Sequence, residues 1–154
     1  MPYLIDGHNL IPKLGLTLAS PDDELDLIAR LLDFCRLRRV QVEVYFDGAP
    51  LGLPATRKSG AVTAHFVRLG SSADAAVEDR LARLGGSARN WTVVSSDRRL
   101  QIAAQAVHAQ AMPSEAFARE MTTALREQPA ASPDEAGLSP EQVEEWLRIF
   151  KKGG

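Results

Sequence analysis

Short apolar runs closed by Asp or Gly alternate with longer stretches in which apolar residues recur every three or four positions. Residues 3–5 form the first run, which predicts a buried strand stopping at Asp6. Ser20-Pro21-Asp22-Asp23 is a helix start, with Ser as cap, Pro at the first helical position and acid in the first turn. Leu25, Ile28, Leu32 and Cys35 then keep helical spacing, so a helix is predicted to about Arg39. Residues 40–46 are rich in β-branched and aromatic side chains and end in Asp47-Gly48. The stretch 48–60, with three Gly and two Pro, predicts a loop. Residues 61–69 predict a third strand. A second helix opens at 70–74, carries Val77, Leu81 and Leu84 on one stripe, and stops at Gly85-Gly86. Residues 91–94 predict a fourth strand, followed by Ser95-Ser96-Asp97 and a helix over about 98–106. A short fifth strand is predicted at 107–111, and Pro113-Ser114-Glu115 starts a helix ending near Arg126.

Beyond it, residues 127–138 read as a linker. Residues 139–154 hold a terminal amphipathic helix with Val143, Trp146, Leu147 and Phe150 on one side. Continuous apolar strands alternating with helices imply an α/β domain over residues 1–126, with a mostly parallel sheet covered on both faces. The third strand follows the second without a helix. A parallel crossover is preferred here over a hairpin.

Composition narrows the class. The 154 residues are 45% hydrophobic and 25% charged, as in one globular domain. A single Cys excludes an internal disulfide framework and favours a reducing compartment. No apolar run is long enough to span a bilayer, and the first residues carry no leader pattern, so a cytoplasmic protein without membrane attachment is expected. Net charge is −2, which excludes nucleic-acid binding through bulk positive charge. Any such contact must come from local Arg and Lys clusters.

Three predicted strands lead into Asp: Asp6, Asp47 and Asp97. In open α/β sheets the ligand crevice lies outside the carboxyl ends of the strands. Parallel strands would therefore put these acids on one edge. Asp74, at the start of the second helix, would face the same edge, with Glu78 one turn later. Each acid has an ordinary alternative: Asp74 and Asp97 as helix caps, Asp6-Gly7 and Asp47-Gly48 as turns. Their coincidence on one edge points instead to a cation site, because like charges a few ångströms apart need a partner. Hard oxygen donors favour Mg²⁺ or Mn²⁺. One Cys and three scattered His argue against Zn²⁺.

Four segments in order, YLIDGHNLI at 3–11, YFDG at 45–48, SADAAVE at 72–78 and VSSD at 94–97, resemble the YacP-like branch of the NYN domain family, within the PIN-like nuclease class. The resemblance covers residues 3 to about 126, and the terminal helix also looks like the tail of that branch. It implies a three-layer α/β/α PIN-like fold and metal-dependent cleavage of RNA; an endoribonuclease is the first expectation, with the polarity of cutting left open. Residue by residue, it implies that Asp6, Asp74 and Asp97 hold the metal. Asn9 would orient metal-bound water or phosphate, and Asp47 and Glu78 would be secondary acids. Ala73 stands where some PIN-like proteins have a second acid.

Phosphodiester hydrolysis needs a nucleophilic water and a stabilised alkoxide, which carboxylate-held metal ions provide. A carboxylate-lined cleft also needs a positive rim. Arg57 and Lys58 in the predicted loop, and Arg98 and Arg99 at a helix N-terminus, are the candidates for binding RNA, either mRNA or rRNA, including RNA on the ribosome. His8 is the one His beside the acids. A second reading is a catalytically weak RNA- or ribosome-binding module of the same fold. A phosphatase of the strand-end Asp type wants another Asp two residues on, where His8 stands. A dinucleotide fold lacks G-x-G-x-x-G after the first strand.

Overall fold

A computed structural model describes residues 2–15, 21–49, 56–68 and 72–127. The strands are β1 (Tyr3–Asp6), β2 (Val42–Ala49), β3 (Thr56–Ser59), β4 (Val62–Arg68), β5 (Thr92–Val94) and β6 (Gln110–Met112). The helices are α1 (Gly7–Leu10), α2 (Pro21–Arg38), α3 (Ala73–Leu84), α4 (Arg98–Ala106) and α5 (Ser114–Glu127). Short 3-10 turns occupy Ile11–Leu14 and Gly85–Asn90.

One six-stranded sheet runs in the order β3-β4-β2-β1-β5-β6. Every pair is parallel except β3 with β4. The parallel crossover from β2 to β4 is as expected. The predicted loop, however, contains β3, which turns back through Gly60 at φ +55° into β4. Gly60 and Ala61 form a two-residue hairpin turn, which the Gly- and Pro-rich composition of the stretch hides. The last strand lies at 110–112 rather than 107–111, because α4 closes through a turn with His108 at φ +63°. The linker and terminal helix expected over 127–154 lie outside the described residues, apart from Glu127 at the end of α5.

Alternation along each strand sorts the side chains between two cores. Tyr3, Ile5, Val44, Phe46 and Val94 join α2 and α5 through Leu27, Leu31, Phe34, Phe117 and Met121. Tyr3, Phe34 and Phe117 meet edge-on or tilted, with centroids 5.2–6.2 Å apart. Leu4, Tyr45 and Val93 face the other way, onto Val77, Leu81, Leu100 and Ala104 of α3 and α4. This is the expected three-layer α/β/α arrangement, with period-two alternation feeding both faces.

Between the layers, α1 follows β1 without a connecting loop. It lies so close to β2 that a Cβ on Gly7 would fall 2.5 Å from the Phe46 ring. The Asp6-Gly7 pair is therefore a point of close approach rather than a simple turn. Among the described residues no helix is long and apolar enough to cross a membrane.

Candidate active site

The five parallel strands end on one edge of the sheet, and the acids gather there. Asp6 is the last residue of β1, in register with Tyr45, and is only 8% exposed. Asp47 lies just beyond, where the β2–β4 register shifts between Phe46 and Ala49. Such a bulge re-aims the side chain it carries. Asp47 Oδ1 accepts the Ala73 N–H, so this acid holds the first residue of α3. Asp74 follows in the first turn of α3. The cap of α3 is Ser72, whose Oγ accepts the Ala75 N–H at 3.1 Å, so Asp74 does not serve as the cap. Asp97 does cap α4: its Oδ1 accepts the Arg99 N–H at 2.8 Å.

The carboxylates perturb one another. Burial and then the charge of Asp74 push the Asp6 carboxyl up to about 6; the Asn9 N–H opposes this, and Asp47 adds to it. Asp74 is also raised, by burial and then by the charge of Asp97 and a hydrogen bond between the two carboxyls. Asp97 thus joins the group through Asp74.

Arg99, expected on the positive rim, pairs with one of the acids instead of standing free for RNA. Its guanidinium holds Glu78 through Nη2 and through Nε at 3.1 Å, and its charge also acts on Asp74 and Asp97. The sequence missed this pair because the two residues sit on different helices. Arg98, beside it, is exposed and forms no ion pair among the described residues.

Arg57 and Lys58 are placed elsewhere. They lie on β3, separated from β1 by β4 and β2. Lys58 pairs in register with Thr63, level with Glu43 and Leu4, on the amino side of Asp6. It lines a small cleft with Gln41 and Trp91. These two basic residues therefore stand apart from the acidic edge, because the expected loop is an edge strand.

Asn9 has its oxygen occupied. Oδ1 accepts the Ser96 N–H at 2.9 Å and the Ser114 hydroxyl at 2.6 Å. His8 is half-buried, tilted against Phe46 at 5.5 Å, with Nε2 3.5 Å from Glu24. Burial alone would lower its pKa, but the Glu24 hydrogen bond and the charges of Glu24, Asp47 and Asp6 raise it. Ser114 and Glu115 are also at this edge, and sequence reasoning treated them only as a helix start. Topology could have found them, since any helix following a parallel strand begins at the strands' carboxyl ends.

Whether the site fits a divalent cation is a matter of donors and of shape. The donors are hard carboxylate oxygens, and the raised Asp6 and the Asp74–Asp97 pair mark charge that a cation would relieve. In shape they are drawn up as pairs: among the described residues no three His, Cys, Asp or Glu side chains are already grouped as a metal shell. The donor set fits; binding would require Asp74 to exchange its contact with Asp97 for the ion.

Two crystal structures share the architecture. One, Rae1 (YacP) from Bacillus subtilis, has a TM-score of 0.67 and 24% identity, covering 82% of this chain and 76% of that chain. A Trp-to-Leu mutant of the same protein has the same score and identity, covering 81% and 77%. This likeness gives the fold. No curated protein sequence matches. The model of the YacP-like NYN domain matches residues 3–150, continuous across the expected linker. The chain therefore belongs to the YacP-like NYN domain family.

Proposed function

We propose that this protein is a metal-dependent ribonuclease that cuts RNA internally at the acidic edge. One observation carries the reading: a buried carboxylate, Asp6, kept at the end of β1 among other acids, where burial and Asp74 push it up to about 6. Folding alone gains nothing from such an arrangement, and perturbed carboxylates cluster at functional sites. Membership of the family and the PIN-like fold support a ribonuclease role in general.

Asp6, Asp74 and Asp97 would hold Mg²⁺ or Mn²⁺. When bound, the ion would supply a nucleophilic water and charge stabilisation for the departing oxygen. The chain's own residues do the rest. Asp6, at a strand end, gives a rigid anchor. Asp47 keeps the start of α3, and with it Asp74, in place. Arg99 offsets the excess negative charge beside Asp74 and Asp97. Arg98 and the first turn of α4 offer a phosphate a positive approach. Burial and then the charge of Asp97 beside it raise the Asp74 carboxyl, and a bound cation would offset that repulsion.

The second reading is an RNA- or ribosome-binding module that has kept the fold. It is favoured by the pairing of the acids with one another and with Arg99 in place of a ready shell. One assay separates the two. Internally labelled single-stranded RNA is incubated with Mg²⁺ or Mn²⁺, or with EDTA, using wild type, Asp6→Asn and Asp97→Asn. Metal-dependent internal cuts lost in both variants uphold the nuclease. A folded wild type that binds RNA and leaves it intact in metal supports the module.

A further inference from the structure

Behind the acids runs a chain of hydrogen bonds that the proposed chemistry does not itself require. Ser114 is fully buried. Its hydroxyl donates to Asn9 Oδ1 at 2.6 Å, and its N–H donates to Ser96 Oγ at 3.0 Å. Ser96 in turn gives its N–H to the same Asn9 oxygen and its hydroxyl to Glu115 Oε2. The other Glu115 oxygen pairs with Lys13 Nζ at 3.0 Å. The Ser96 hydrogen bond, its own backbone N–H and Lys13 hold the Glu115 carboxyl down at about 2.

The residue before Ser96 is fixed as well. Ser95, fully buried, takes the Asp97 N–H on its Oγ at 3.0 Å. Its N–H donates to the Met112 carbonyl and its carbonyl accepts from Gln101 Nε2, each at 3.1 Å. Four parts of the fold thus converge on Ser95 and Ser96, namely α1, β6, α4 and α5, and the 3-10 turn after α1 reaches them through Glu115. What those two residues carry is Asp97.

An apolar junction could pack α5 against α1 at lower cost, because buried hydroxyls must be satisfied or they destabilise. A fully satisfied polar network instead selects a single arrangement. We propose that Ser96, Ser114 and Glu115, acting with Asn9, are positioning residues that fix Asp97 relative to Asp6, so that the rate of RNA cleavage depends on a strut that touches no substrate. The dependence on rate rests on the nuclease reading; the fixing of Asp97 does not.

The test takes the full chain with Ser96→Ala, Ser114→Ala and Glu115→Ala, and with Ser96→Thr, which keeps the hydroxyl. Two quantities are read: kcat and KM on labelled RNA with Mn²⁺, and amide hydrogen exchange at Ser96 and Asp97 without metal. The alanine variants should lose about 10-fold or more in kcat, as supporting-shell changes do, with KM within about 2-fold. Exchange at Ser96 and Asp97 should quicken at least about 10-fold while β1 and β2 stay protected. Ser96→Thr should restore both. Unchanged exchange at Ser96 and Asp97, unchanged kcat in a cleaving enzyme, or loss of protection spread equally over the whole sheet would each overturn the proposal. If wild type cleaves no RNA, the nuclease reading falls by itself. The exchange result then decides alone whether the strut fixes Asp97.

Discussion

Two carboxylates largely withdrawn from solvent stand on neighbouring strands of the same sheet and meet opposite fates. Glu43 on β2 is level with Leu4, two residues before Asp6 on β1. Burial would raise the Glu43 carboxyl, yet its partners bring it down to about 2. Arg80 holds it with two bonds of 3.0 Å, Tyr45 donates at 3.1 Å, and His65 Nε2 lies 3.2 Å away. The group is itself braced: Arg80 lies over the Trp91 ring, and His65 stacks on Tyr45. Asp6 faces other acids instead and is pushed up to about 6. Each shift corresponds to about 3 kcal/mol at neutral pH, with opposite signs. Residue chemistry is the same and burial raises both; the partners decide. A matched carboxylate is architecture, whereas an unmatched one costs stability and marks where function is to be sought.

The comparison breaks most visibly at Asp6. Asp6→Asn is expected to lower RNA cleavage by at least about 100-fold, the scale of losing a key electrostatic group. It should also stabilise the metal-free fold at pH 7 by about 1–3 kcal/mol, measured by urea denaturation in EDTA. A variant that loses both activity and stability would mean Asp6 is matched after all. On the other side, Arg80→Ala leaves Glu43 buried without its main partner and should cost about 3 kcal/mol, with RNA cleavage per folded molecule unchanged.

Titration sharpens the contrast. The Asp6 carboxyl binds its proton more tightly folded than unfolded, so its cost is full above pH 6 and fades as pH falls through about 6 toward 3.8. The stability gap between wild type and Asp6→Asn, measured by urea midpoints, should close across that window. The Glu43 contribution runs the other way. It is complete above the ordinary value of 4.5 and is lost as pH falls toward 2. Asp6→Asn should not alter that acid limb, whereas Arg80→Ala should flatten it.

The smallest effects belong to the exposed cations. Arg99→Ala breaks a solvent-facing pair with Glu78 and should change stability by less than about 1 kcal/mol. It should still raise the KM for RNA several-fold. Lys58→Ala, on the far side of β4 and β2, should leave KM unchanged in the same assay. A rise in KM from Lys58→Ala with none from Arg99→Ala would mean that RNA follows the sheet edge at β3 and not α4.

Much of this was legible along the chain. The strand ending at Asp6 and the helix opening at Pro21 follow from apolar runs, caps and periodicity, all local signals, whereas the parallel step from β2 to β4 was a preference between two topologies that the structure bears out. Asp6, Asp47, Asp74 and Asp97 could be placed on one edge because parallel topology sends every strand end the same way. The hairpin through Gly60 was hidden, since glycine and proline in a stretch signal a change of direction without saying what the chain does next. The residues at 57 and 58 were misplaced with it.

The sequence by itself determined the alternation of elements, the two-faced sheet and the inventory of acids, because side-chain periodicity and terminal residues act over a few positions. Only the tertiary structure decided which groups meet. Arg99 and Glu78 are 21 residues apart, and Ser114 and Asn9 are 105 apart. No local preference links such residues. They come together because the strand order β4-β2-β1-β5-β6 brings the starts of α1, α3, α4 and α5 to a single edge, where the buried hydroxyl of Ser114 must find a partner.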